Sequence, residues 1–172
     1  VITGDDWGFE YVYLPLNING ELKHIVSFFD YMDSIIYTSN LSLLFEQLYD
    51  NGSSNLLMTD VNTFDGFVNK REFNDSICVL CLTGYMEFEA KLIECNYDVS
   101  KYGIKIMLAN ENKNTKLQKI IRYIKTMYEE HLLSEYRDLF YHIVSEYKKD
   151  NVSKVQNDIQ TMIVSSQLLH TS

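Results

Sequence analysis

The chain contains a single proline, Pro15, and only seven glycines. Long flexible linkers and glycine-rich phosphate-cradling loops therefore have little to be built from. Its three cysteines, Cys78, Cys81 and Cys95, are an odd number. They cannot close a pairwise disulfide framework and point to a reducing compartment. No apolar run approaches the ~18 residues that a membrane span requires. Residues 1–9 lack the basic stretch and apolar stretch of a secretory leader. These features predict a cytoplasmic protein with no membrane association. The sequence opens on Val1 rather than methionine, which leaves open a trimmed chain or a piece of something larger.

What is present is a full complement of core-forming residues. Of the 172 residues, 46% are hydrophobic and 13% aromatic, including 13 Tyr and 9 Phe. A chain of this size and composition can bury a core without help from disulfides or metals. The formal net charge of −9 is unevenly spread. Residues 1–100 carry sixteen acids against four bases, a net of −12, whereas residues 101–172 carry eight acids against eleven bases, a net of +3. A −12 half repels phosphate backbones and attracts basic protein surfaces, which argues against direct nucleic-acid binding.

The pattern along the chain predicts an α+β fold, with an antiparallel sheet of about six to seven strands in meanders and hairpins. Residues 9–16 are aromatic and β-branched, Asn19-Gly20 is a two-residue hairpin turn, and residues 21–29 read as the return strand. Residues 34–38 follow as a third strand. Leu41, Leu44, Phe45 and Leu48 then change to a helical period, giving a short inserted helix over 40–50 capped by Ser39 or Asn40.

Residues 55–62 and 76–82 read as strands, with a tight turn at Thr83-Gly84. Residues 85–95 give the clearest alternation. Met86, Phe88, Ala90 and Leu92 point one way and Glu87, Glu89 and Lys91 the other, as on a half-buried strand. Ile104, Ile106 and Leu108 alternate again.

From Asn112 the period is helical, with Leu117, Ile120, Ile121, Ile124, Met127 and Tyr128 in one stripe and Leu132, Tyr136, Leu139, Ile143 and Tyr147 continuing it. Unbroken, residues 113–149 would extend roughly 55 Å, so a break is expected near residues 131–134. Asp150 or Asn151 caps a last helix carrying Val152, Val155, Ile159, Met162 and Ile163. The expected organisation is one domain, with an acidic sheet over 1–110 and a helical segment of two to three helices over 111–172 packed on it.

The chemical motifs are fragmentary. His142 stands one helical turn from Asp138 and Glu146, a spacing that a proton relay or a weak metal site could use and that a solvated helix face also gives. Cys78-Val-Leu-Cys81 lies in an apolar β run, where residues three apart face opposite sides, as core cysteines would. Asp60-Val-Asn62-Thr-Phe-Asp65-Gly66 resembles a calcium loop but has its glycine seventh and Arg71 at the twelfth position. Glu87 and Glu89 are paired on one predicted strand face. Lys116, Lys119 and Arg122 share a helix face with Lys113 and Lys125 nearby, which fits an anion, an acidic partner or the chain's own acidic half. No catalytic residue, metal or cofactor is predicted.

The candidate binding residues are aromatic anchors beside acids: Asp5, Asp6, Trp7, Glu10 and Tyr11, with Asp30, Tyr31 and Asp33 at a following turn. Buried rings and steering charges are what protein interfaces favour. The sequence therefore reads as an acidic, non-enzymatic protein-binding module. The inhibitor or immunity type would mask a basic, nuclease-like toxin or nucleic-acid-binding partner. An interaction or scaffold domain of a larger bacterial or viral protein is the alternative.

Overall fold

The structure is a computed structural model. It describes residues 2–3, 10–11, 32–46, 55–108, 111–133, 139–144 and 149–170. The chain divides into two compact units, Val1–Tyr31 and Met32–Ser172.

In the first unit, β1 (Ile2–Thr3) pairs antiparallel with β2 (Glu10–Tyr11), with Ile2 opposite Tyr11 and Thr3 opposite Glu10. The rest of the strand expected over 9–16, the Asn19-Gly20 turn and the strand expected over 21–29 lie outside the described residues.

The second unit is α/β. Among the described residues its sheet consists of β3 (Ser34–Asn40), β4 (Ile77–Thr83) and β5 (Leu139–Ile143), in that spatial order and all parallel. Four helices accompany it among the described residues: α1 (Leu56–Val68), α2 (Tyr85–Glu94), α3 (Lys113–Glu129) and α4 (Lys149–His170). The antiparallel sheet of six to seven strands is thus overturned.

Parallel neighbours cannot be joined by a hairpin and need long crossovers. Here α1 fills the first crossover and α2 with α3 the second. Both crossovers run the same way across the sheet, and crossovers of one hand then bring their helices to the same face. Accordingly Phe64 of α1 meets Tyr128 of α3 edge to face at 5.2 Å.

β4 is the centre. Every residue from Cys78 to Leu82 is buried, which is the continuous apolar run of a strand covered on both sides. On edge strand β3 only Ile35, Tyr37 and Ser39 are buried, while Ile36 and Thr38 are exposed. The buried row turns towards α1 and α3, since Tyr37 packs edge to face on Phe64 at 5.1 Å. Val61, Phe64 and Val68 of α1 and Ile120 and Ile124 of α3 are fully buried. Ile159 and Ile163 of α4 are also buried.

The strand predictions at 34–38 and 76–82 and the helix predicted from Asn112 match the structure. Asn112 caps α3 by accepting a hydrogen bond from the Thr115 amide at 2.9 Å, and α3 ends at Glu129, just before the expected break. Other expectations fail for identifiable reasons. Residues 55–62 are not a strand: Asn55 accepts from the Met58 amide at 2.9 Å and starts α1. The inserted helix is a single 3-10 stretch, Leu41–Phe45, capped by Asn40; residues 47–50 lie outside the description. Residues 104–108 form no strand, though Ile104 is buried. Leu139 and Ile143 fit a helical stripe equally well, yet lie on β5.

The largest error concerns residues 85–95, which form α2. Two spacings coexist in that sequence, and the one that is used is Phe88 with Leu92, four apart and both fully buried. Glu87 and Lys91, also four apart, form an ion pair at 2.8 Å on the helix surface. The helix ends where Asn96 and Tyr97 adopt φ of 51° and 62°, with the Tyr97 amide donating to Leu92 O at 2.7 Å.

The helix can be told from the strand by mutation. Phe88→Ala should cost about 3–5 kcal/mol, whereas Met86→Ser and Ala90→Ser should each stay within about 0.5 kcal/mol. Urea midpoints measure all three. Comparable losses at 86, 88 and 90 would indicate a strand.

Candidate protein-binding surface

Open parallel sheets bind ligands at the carboxyl ends of their strands, so that edge comes first. β3 runs directly into the 3-10 stretch, where Asn40 Oδ1 accepts from the Ser42 amide at 2.9 Å. β4 turns into α2 at Gly84, whose φ of +69° is left-handed. A β-carbon on Gly84 would collide with Asn40 Oδ1 and lie 2.8 Å from Asn40 Cγ. Thr83 Oγ1 donates to Ser39 O at 3.2 Å, and the Val144 amide donates to Leu82 O at 2.8 Å. At this edge the Asn40 amide sits against bare Gly84 backbone, and the polar groups serve each other.

Gly84→Ala adds an unfavourable backbone conformation to that collision and should destabilise the chain by roughly 2–4 kcal/mol. Asn40→Ala relieves the collision while losing a cap. The double variant should therefore be more stable than the two single losses added, as a double-mutant cycle in urea would measure. Strict additivity would show that the contact is absent.

A second polar cluster lies under β3. The Asp60 carboxylate, on α1, accepts from the Tyr37 hydroxyl at 2.9 Å and from the Tyr128 hydroxyl at 2.6 Å. The Tyr37 proton is shared with Asp60 O, 3.1 Å away, and Ser39 Oγ lies 2.8 Å from the Tyr128 hydroxyl. Because the single Tyr128 proton goes to Asp60, Ser39 is the donor in that last bond. Burial pushes both phenols well above the usual tyrosine range, and the neighbouring Asp60 charge pushes them further. They remain protonated donors at neutral pH. The cluster ties β3, α1 and α3 together, and its acceptors and donors are turned on one another. It also disposes of the calcium-loop resemblance, since Asp60 to Gly66 lie inside α1.

These shifts have a direction in pH. A phenol whose folded pKa is raised contributes stability that is intact below its unfolded pKa, near 10, and is lost as pH climbs above it. Wild type should therefore lose stability above about pH 10 more steeply than the Tyr37→Phe/Tyr128→Phe variant. Urea midpoints through that range measure this. Equal slopes would show that neither phenol is held protonated by the fold.

The predicted binding residues are only partly placed. Asp5, Asp6, Trp7, Asp30 and Tyr31 lie outside the described residues. Glu10 and Tyr11 form β2. Asp33 is exposed, and its carbonyl accepts from the Ile77 amide at 2.9 Å. Cys78 and Cys81 are buried on β4, and burial pushes the Cys81 thiol up to about 11.

His142 is on β5, paired in register with Cys81, and so does not belong to a helical relay; Asp138 and Glu146 lie outside the described residues. Its Nε2 is buried without a hydrogen-bond partner among the described residues. Glu87 and Glu89 sit on helix α2, not side by side on a strand face. The basic stripe of α3 is partly engaged at home. Lys119 pairs with Glu111, Lys125 pairs with Glu129 at 2.8 Å, and the Lys125 ammonium lies 4.4 Å from the Tyr141 ring centre. Among the described residues no group of three or more His, Cys, Asp or Glu is placed to hold a metal ion. Nor is any helix long and apolar enough to cross a membrane.

What the reading of the sequence missed is the outer face of α2. Met86 and Ile93 are 59% and 52% exposed, unusually open for large apolar side chains on a helix that already buries Phe88 and Leu92. Ala90, also exposed, lies between them. Met86 and Ala90 stood in the apolar half of the alternation, which the strand reading turned inward, and Ile93 stood outside it. Comparison of the chain with protein-family models and with curated proteins gives no match.

Proposed function

We propose that the chain is an acidic protein-binding module that acts without catalysis in a reducing, cytoplasmic compartment and masks a basic protein, in the manner of an inhibitor of a nuclease-like partner. The observation that carries this reading is the charge partition, net −12 over residues 1–100. Such a field speeds encounter with a basic surface and disfavours phosphate backbones. The described polar clusters add support, because Asp60 with its tyrosines and Asn40 with the adjoining backbone are spent on internal bonds. The odd number of cysteines fits the compartment.

The test is capture of the natural partner from the native host, identified by mass spectrometry, followed by association kinetics with the purified pair. A basic partner is expected, with association slowing as salt shortens the screening length to ~10 Å at 0.1 M and below that at higher salt. Reversing Asp5, Asp6 and Glu10 to Lys should slow association at least about tenfold and leave the urea midpoint nearly unchanged. A neutral or acidic partner, or a rate indifferent to salt and to the reversal, overturns the reading.

A further inference from the structure

We infer that the outward face of α2 is a docking surface for a basic amphipathic helix of a partner protein. This rests on the reading of the chain as an acidic binding module and gives that module a second, located contact. At 100° per residue, Met86, Ala90 and Ile93 fall within an arc of about 60° on the side of α2 opposite Phe88 and Leu92. They follow the i, i+4, i+7 spacing by which one helix presents a ridge to another. The small Ala90 at the middle leaves room for a facing backbone between the two larger side chains.

The charges flanking this ridge select the occupant. Glu87 and Glu94 border it on one side and Glu89 on the other. The single lysine of the helix, Lys91, is drawn inward: it pairs with Glu87 at 2.8 Å and lies 5.8 Å from the Phe45 ring centre. Among the described residues Glu89 and Glu94 meet no cation. An anionic membrane surface or a nucleic acid would set phosphate against acids on both borders, and interfacial helices carry Lys and Arg in that place. A helix with an apolar stripe bordered by Lys or Arg would instead match both borders, as flanking charges do in paired helices. The ten residues of α2 span only about 15 Å, so this contact belongs to the small, transient class of interface.

The full chain is tested by fluorescence anisotropy against a designed helical peptide with Leu at the a and d positions and Lys at e and g, and against its counterpart with Glu at e and g. Wild type should bind the Lys peptide at least about tenfold more tightly than the Glu peptide. Met86→Ser/Ile93→Ser should weaken the Lys peptide by at least about tenfold with an unchanged circular dichroism spectrum. Glu89→Gln/Glu94→Gln should weaken it less and flatten its salt dependence. Equal binding of the two peptides, no binding to wild type, or full affinity in Met86→Ser/Ile93→Ser overturns the inference. So does sedimentation showing that wild type self-associates through this face and that Met86→Ser/Ile93→Ser does not, which would make the occupant a second copy.

The two readings fail separately. Binding of the captured natural partner that is lost on reversing Asp5, Asp6 and Glu10 but untouched by Met86→Ser/Ile93→Ser leaves the module and removes the α2 site. Absence of any basic partner removes the module, while the peptide measurements still decide α2.

Discussion

A strand that is apolar on both faces has to be covered on both, and β4 imposes that condition on the second unit. Its five central residues, Cys78 to Leu82, are all buried. At roughly 25 cal/mol per Å² of apolar surface, a row such as Val79, Leu80 and Leu82 favours folding strongly once neighbours exist on each side. Those neighbours cannot be hairpin partners, because the flanking strands run parallel to it and parallel pairing needs a long crossover. From that one constraint follow the helical content of the crossovers, the meeting of α1 with α3 on one face, and the closed turn at Gly84.

Hydrophobic covering alone does not fix how a helix sits on a sheet, and the Asp60 cluster supplies that. Three elements meet at one carboxylate, with two phenols donating to it and Ser39 donating to one of them. Each of these groups would be costly to bury alone, and leaving a buried donor unpaired costs about 1–3 kcal/mol. The cluster therefore penalises displacement of α1 or α3 relative to β3 more than it adds to net stability. The Phe64 ring, edge to face with both tyrosines, holds the phenols at the angle the carboxylate needs.

Local signals in the sequence were legible where one period stood alone. The Leu117 to Tyr128 stripe, read as helical from Asn112, gave α3, and the unbroken apolar run gave β4. They misled where two periods coincided. In residues 85–95 a strict alternation and an i, i+4 pairing share Phe88 and Leu92, and the Glu87–Lys91 pair and the turn at Gly84 go with the helix. Strand direction was illegible for a different reason. A strand such as β3 alternates in a parallel sheet as it would in an antiparallel one, and within the 36 residues between Asn40 and Ile77 the stretch 55–62 was taken for a strand where α1 begins. The Asp60 cluster was beyond local reading altogether, since its partners are 23 and 68 positions away in sequence.

Correcting α2 also changes what its apolar residues mean. On a strand, Met86, Ala90, Phe88 and Leu92 would all serve the core, and their acidic neighbours would be a solvated face with nothing between them. On a helix the same residues split into an inner pair and an outer ridge, and the acids become the borders of that ridge. The negative charge of the first hundred residues then includes a local arrangement with a shape to recognise as well as a long-range field. In the proposed reading field and ridge would act at different ranges: the field would raise the rate of encounter with a basic surface, and the ridge would reward only a helix whose apolar stripe lies between its cations. A partner chosen by charge alone would include any basic protein. One chosen by both must place Lys or Arg on either side of an apolar helical stripe, a far narrower class.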